Sequence, residues 1–453
     1  MRTARLVALS LLAAAIFAAA AAPAPVTASG HSGEVLEATL DNGLRVLVLE
    51  DHRSPIVSVQ VWYKVGSRNE RPGATGLAHF LEHMMFKGTP THGKGEFARL
   101  VERNGGQDNA FTAQDMTSYF VNIAADKLDL VLRLEADRMR HLLLDPKEID
   151  SERQVVMEER RTRTEDDADG LLSEELSAIA FKAHPYRWPI IGWMEEINRI
   201  NPPELRAFYD TYYVPNNAIL AVVGDVKAPD VLARIREVFG GIPRGPAPPA
   251  VTAVEPPQIG ERRVIVRKAG AQLPIVSIAY HVPNHASPDA PALELLSTIL
   301  SEGRASRLYR KLVYEKRMAL GAGGDYSYAS VDPNLFWFYA TPLPGHTVEA
   351  LERALLDEIE GLKSEPVPDE ELARAKNQIE ASFVWRQDSV HSRASGLVRF
   401  EMLGSWRLLD RFVPMIRAVT AADIQRVARA YFPSDRKNVG VLLPAEPPAP
   451  AGK

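Results

Sequence analysis

The chain has 453 residues, 46% of them hydrophobic and 25% charged, with a net charge of −5 and no cysteine. That length exceeds one ordinary core and suits two domains of about 200 residues, in a composition typical of globular proteins. The missing cysteine excludes thiol catalysis, disulfides and thiolate zinc sites, and the lack of a basic patch argues against nucleic acid as a partner.

The N-terminus reads as a secretory signal peptide over residues 1–28. Arg2 and Arg5 precede an apolar run from Leu6 to about Ala22, and Val26-Thr27-Ala28 resembles a cleavage site. With no cysteine it is not a lipoprotein signal. An uncleaved anchor is the main alternative, and a mitochondrial transit peptide is disfavoured because the run is continuously apolar. The Ala-, Arg- and Pro-rich composition points to a bacterial protein, periplasmic or secreted. No later stretch is long and apolar enough to span a membrane, so no membrane association is expected after signal cleavage.

Strands are predicted over Val35 to Leu40, Arg45 to Glu50 and Ile56 to Tyr63, where apolar residues alternate or run together. The run His79-Phe80-Leu81-Glu82-His83 follows. On a helix, His79 and His83 share one face and can reach one metal ion, with Glu82 beside that face. H-x-x-E-H is the inverted form of the zinc peptidase motif. A catalytic zinc site also needs a third protein ligand and one open position.

Helical periodicity covers Asp126 to Leu143, with Leu128, Val131, Leu132 and Leu134 as apolar positions. The next helical segment, Glu152 to Arg161, offers acidic ligands. Glu152 and Glu159 lie seven residues apart on one face, and Glu158 is turned away. Val155, Val156 and Met157 are expected to hold this helix against a core. Glu158 and the run Arg160 to Asp167 read as a solvated face of mixed charge.

H-x-x-E-H followed about 76 residues later by E-x6-E resembles the pitrilysin-type zinc metallopeptidases, in the two-domain bacterial branch similar to mitochondrial processing peptidase. The resemblance implies one Zn2+ per chain, with Glu159 as third ligand beside His79 and His83, and Glu152 as a supporting acid. It implies Glu82 as general base, taking a proton from the attacking water and passing it to the leaving amine. Asn109-Ala110-Phe111-Thr112, with Asp115, Thr117 and Tyr119 beyond, is similar to the family segment that forms an exposed edge strand for substrate. Backbone pairing at such an edge grips peptides with little regard to sequence. His184-Pro185-Tyr186 with Pro189-Ile190-Ile191-Gly192 also looks like a family segment, in which His184 is expected to be structural.

The chain is an internal duplication. Pro55-Ile56-Val57-Ser58-Val59 recurs 219 residues later as Pro274-Ile275-Val276-Ser277-Ile278, and Tyr212-Tyr213-Val214-Pro215 has its counterpart in Tyr431-Phe432-Pro433, an offset of 218. The expected units are a zinc-bearing domain over 33–242, a Pro/Ala-rich linker over 243–258, a related domain over 259–444 and a disordered tail over 445–453. The expected fold is α+β, two related domains that are each an antiparallel sheet with helices packed on one face.

The second copy carries Thr298, Ser301 and Glu302 where the first has His79, Glu82 and His83, so it is expected to be silent. Its own family mark is Ser306-Arg307-Leu308-Tyr309, in which Arg307 is a candidate substrate contact. The Tyr that partners this Arg in relatives is missing, its position falling near Leu320. The resemblance implies a dimer, either a homodimer or a heterodimer with a related chain that keeps an Arg-Tyr pair. The function expected is a zinc endopeptidase acting on unfolded peptides. The competing readings are a structural subunit of the same fold and a protein that binds peptides without cutting them.

Overall fold

The computed structural model describes residues 34–445. The signal segment and all but the first residue of the expected tail lie outside the described residues. Eleven strands are present among the described residues: β1 (Leu36–Thr39), β2 (Arg45–Glu50), β3 (Ile56–Tyr63), β4 (Gln107–Thr112), β5 (Thr117–Ala124), β6 (Ala218–Gly224), β7 (Arg262–Lys268), β8 (Ile275–Val282), β9 (Ala319–Tyr326), β10 (Asn334–Pro342) and β11 (Asn438–Pro444). They form two sheets, ordered β1-β2-β6-β3-β5-β4 and β7-β11-β8-β10-β9.

The duplication is visible in this order. Without the extra edge strand β1, the first sheet repeats strand for strand in the second, and β3 and β8 occupy the positions at which the repeated Pro-Ile-Val-Ser sequences stand. Both sheets are antiparallel except for one parallel pair each, β2 with β6 and β7 with β11. The closing strand of each half returns between the two strands that began it, which forces one parallel neighbour.

β6 is buried along its whole length and β3 at all positions but the first. Strands buried on both faces need cover on both sides. Helices of the same half cover one face, as expected: Val131, Leu132 and Leu134 of the helix Leu128–Arg140 are buried in the first core. Part of the other face is covered by a helix from the opposite half. Leu172, Leu176 and Ala180 of the helix Ala168–Ala180 pack on Ile275, Leu442, Ala279 and Leu335 of the second sheet. A Cβ at Gly440 would lie 3.0 Å from Leu172 Cδ1, so a glycine on β11 admits this helix. Reciprocally, Ala394, Leu397 and Val398 of the helix Val390–Met402 share one core with Leu47, Ile219, Ala221 and Val223 of the first sheet. The two halves therefore exchange one helix each.

Residues 243–260 contain no helix or strand. The spacer is nevertheless fastened, because the Glu255 carboxylate accepts the backbone N–H groups of Lys182, Ala183 and His184. The helix Pro146–Arg160 corrects two expectations. Val155 is 49% exposed while Val156 is fully buried, since neighbours on a helix are turned by about 100° and cannot face one core together. Arg160, read as solvated, is 5% exposed. No described helix is long and apolar enough to cross a membrane.

Candidate metal centre

The motif lies on the short helix Leu77–Met84, which buries Leu77, Ala78, Phe80, Leu81 and Met84. Its start is fixed by a residue without a motif signature: the buried Glu70 carboxylate accepts the N–H groups of Gly76 and Ala78 at 2.8 and 2.7 Å. Gly76 has φ 86°, and a Cβ there would lie 2.6 Å from the Ile191 carbonyl oxygen. The Pro189–Gly192 segment is thus the wall against which the helix begins.

The helix Pro146–Arg160 crosses beside it, capped by Asp145, whose side chain accepts the Lys147 N–H, and with Pro146 at its first position. It carries Glu152 and Glu159 to the two histidines. Glu159 Oε2 lies 3.3 Å from His83 Nε2 and 3.7 Å from His79 Nε2. The three donor atoms all fall within 4.8 Å of one another, the only such group of three among the described residues. Two imidazoles and one carboxylate form a donor set that fits zinc and leaves one position open.

The supporting contacts differ for the two histidines. His83 Nδ1 lies 2.8 Å from Glu152 Oε1, and Lys87 pairs with the other oxygen of Glu152. This fixes a proton on Nδ1 and aims Nε2 at Glu159, so that Nε2 is the nitrogen that would bind a metal once its own proton is lost. His79 Nδ1 is buried without a partner, so its ring is held by packing, including an edge contact with His83 at 4.7 Å between centroids. Burial and the His83 charge push His79 down to about 4. Burial opposes the charge on His83, but its bonds to Glu152 and Glu159 prevail and raise it to about 9. Glu159 Oε1 is held by Arg163 at 2.8 Å, on a π-helical turn over Arg161–Glu165.

Glu82 faces the same cavity, which has a volume of about 740 Å³. Burial raises its pKa, against the hydrogen bond that Thr112 Oγ1 donates to its Oε2 at 2.5 Å. Thr112 ends β4, the edge strand of the first sheet. Asn109, Ala110, Phe111 and Thr112 all line the cavity, with Phe111 36% exposed. The Ala110 N–H is accepted by Asn109 Oδ1 at 2.8 Å, a side chain of its own strand. The next residues secure the hairpin: Asp115 accepts Tyr186 Oη–H at 2.7 Å, Thr117 donates to the Val65 carbonyl, and Tyr119 Oη meets Tyr213 Oη at 2.9 Å.

The structure leaves other sequence candidates away from the cluster. Glu158 is exposed and pairs with Arg161. His184 Nε2 lies 3.1 Å from Asp332, joining the two halves as a structural residue. Arg307 does not line the cavity; its guanidinium is bound by Glu371 at 2.6 Å within the second half. Leu320, at the expected Tyr position, is 46% exposed, and the hydroxyl of Tyr326 on the same strand is taken up by the Pro283 carbonyl.

Besides Glu70, Arg160 carried no sequence signal of its role at the site. The Arg160 guanidinium spans both oxygens of the buried Glu174 at 2.8 Å and donates to the Gly192 carbonyl at 2.8 Å. It ties the Glu159 helix to the exchanged helix and to the wall behind Gly76.

Comparison with known families decides the classification. The model described as Insulinase (Peptidase family M16) matches residues 45–192, and the model described as Peptidase M16 inactive domain matches residues 199–379. The chain belongs to peptidase family M16. The M16 relative "Zinc protease PqqE" of Helicobacter pylori is 35% identical over 409 residues, covering 90% of this chain and 92% of that protein. An uncharacterized zinc protease of Mycobacterium tuberculosis is 31% identical over 414 residues, covering 90% and 92%. A crystal structure of a protease from Helicobacter pylori superposes with a TM-score of 0.88 at 34% identity, covering 91% of this chain and all of that one. The M16 fold extends to an M16-like peptidase of Alicyclobacillus acidocaldarius, with a TM-score of 0.78 at 20% identity and coverage of 91% and 98%.

Proposed function

We propose that this M16 chain is a zinc-dependent endopeptidase acting on unfolded peptides. The observation that carries the reading is the convergence of His79, His83 and Glu159 beside Glu82, under an exposed edge strand. His79 Nε2, His83 Nε2 and a Glu159 oxygen would hold the ion, with Glu152 orienting His83. Bound zinc supplies a Lewis acid for the scissile carbonyl and lowers the pKa of water to about 7.

The chain supplies the rest. β4 receives the substrate as a further strand, because its outer edge has no strand neighbour in the sheet. Glu82 accepts the proton of the attacking water and delivers it to the leaving amine. The raised pKa of Glu82 suits a group that must hold a proton between those two steps. Thr112 Oγ1 fixes the carboxylate orientation and links it to the strand that holds the substrate.

The proposed setting is the periplasm or the extracellular space, supported by the N-terminal signal pattern. A dimer is proposed from the family resemblance. The sequestration of Arg307 by Glu371 favours one second reading, a chain that needs a related partner to complete substrate binding. The deciding experiment is cleavage of a quenched unstructured peptide by the zinc-loaded chain beside Glu82→Gln. Cleavage by the wild type, with a variant that keeps zinc but is slower by about 10² to 10⁴, is expected. A variant of near-normal activity removes Glu82 from the mechanism. Zinc binding without cleavage by either protein favours the partner-dependent reading.

A further inference from the structure

The duplication leaves a second cavity, in the half without metal residues, with a volume of about 510 Å³. It is the structural counterpart of the first. Gly170, Ser173, Glu174 and Ser177 of one exchanged helix line the metal cavity, and 222 residues later Ser392, Ser395, Gly396 and Arg399 of the other line the second. The half without metal residues thus has a cavity of its own at the equivalent place, and different chemistry lines it.

Glu294 and Asp325 supply two carboxylates, and Arg386 and Arg399 supply two guanidinium groups. Among the described residues, none of these four side chains makes a hydrogen bond or an ion pair. In the metal cavity, by contrast, Lys87 pairs with Glu152 and Arg163 with Glu159. Asp325, Arg386 and Arg399 are exposed and Glu294 is half-buried, so all four charges stand unpaired where a ligand entering the cavity can reach them. Burial, reinforced by the Asp325 charge, pushes Glu294 up to about 7, against the opposing charge of Arg386. Burial, with the Arg386 charge, also lowers the pKa of Arg399.

The remaining wall is aromatic. Phe412 packs against Tyr328 at 5.2 Å between centroids and against Phe383 and Phe400 at 5.9 Å. Two acids alone would select a cation and two arginines alone an anion. Both pairs beside an aromatic wall match a molecule that carries both charges and an apolar group. We infer that this cavity binds an amino-acid-sized zwitterion with an apolar side chain, its ammonium received by Glu294 and Asp325 and its carboxylate by Arg386 and Arg399. The ligand is either a free amino acid or a dipeptide, which share this chemistry. The inference does not depend on zinc or on peptidase activity.

The test is calorimetric titration of the full chain with L-phenylalanine and with the dipeptide phenylalanylphenylalanine, beside N-acetylphenylalanine and phenylalanine amide. Saturable binding of a zwitterion is expected, with each blocked derivative at least tenfold weaker. The tighter of the two zwitterions identifies the source. Glu294→Gln and Arg399→Gln should each weaken binding about tenfold. Glu294→Gln breaks no hydrogen bond, and Gly396→Leu places bulk in the cavity from a position where a Cβ meets only Leu409 Cδ1 at 3.6 Å, so loss in both separates site from fold. His79→Ala should bind as the wild type does. Failure of both zwitterions to bind, binding that survives Gly396→Leu, or binding abolished by His79→Ala would each overturn the inference.

Discussion

Glu152 Oε1 lies 2.8 Å from His83 Nδ1, and its other oxygen is paired with Lys87. The carboxylate thus sits behind the histidine, on the side away from the position a metal would take. Burial works against its charge, but the bonds to His83 and Lys87 hold its pKa below the usual value. Outer carboxylates of this kind typically contribute 10- to 100-fold to metal affinity. Glu152→Ala is therefore expected to weaken zinc binding by about that factor in a chelator competition, whereas Glu82→Gln should leave it near the wild-type value. Equal affinities for wild type and Glu152→Ala would remove Glu152 from the site.

Arg160 is the mechanical counterpart. Its contacts to Glu174 and Gly192 are buried, so removing the guanidinium leaves Glu174 charged and uncompensated. Breaking one partner of a buried pair costs about 3–5 kcal/mol. Arg160→Met is expected to lower unfolding stability by that order in urea and to weaken zinc binding through the displaced Glu159. Arg160→Lys keeps the charge without the bidentate geometry and should fall between. A Met variant as stable as wild type would show that the clamp adds nothing.

These two residues mark what could be read from the sequence. The strands β3 and β8 and the metal helix are written in local patterns, namely apolar runs and an i, i+4 histidine pair. Glu152 and Glu159 share a face at a separation any helix enforces. The partners of Arg160 lie 14 and 32 residues away in sequence, and nothing local distinguishes it from the solvated Arg161. The exchanged helices were unreadable for a related reason. Leu172, Leu176 and Ala180 form an ordinary apolar stripe, and a stripe does not say which sheet it will cover. Nor does strand alternation reveal a parallel neighbour, which is why β2 beside β6 appears only in the fold.

The edge strand offers a test of substrate binding that spares the metal. The Ala110 N–H is directed at Asn109 Oδ1, so substrate can take it when that side chain swings aside. Proline at an edge position removes such an N–H while the sheet tolerates the residue. One lost hydrogen bond amounts to about 1 kcal/mol, or up to roughly tenfold. Ala110→Pro should lower peptidase kcat/KM by about that factor, with zinc content and melting temperature unchanged. Full activity in this variant would exclude Ala110 as a backbone contact.

Glu294 gives a pH signature unrelated to the metal. Its pKa rises from 4.5 to about 7 in the folded chain, chiefly through burial and then through Asp325. The sign follows from linkage. A raised acid binds its proton more tightly when folded, so the native state loses stability as pH rises from 4.5 towards 7, and the penalty is complete above that. Glu294→Gln removes the ionisation without removing bulk. The variant should match the wild type near pH 4.5, gain progressively between the two values, and be more stable at pH 8. The gain is at most about 3 kcal/mol, reduced because the carboxyl faces a cavity that admits water. Urea unfolding at pH 5 and pH 8 measures it directly. A stability difference of the same size at both values, or a loss at pH 8, would mean that Glu294 is ionised at little cost and that the cavity already supplies its counter-charge.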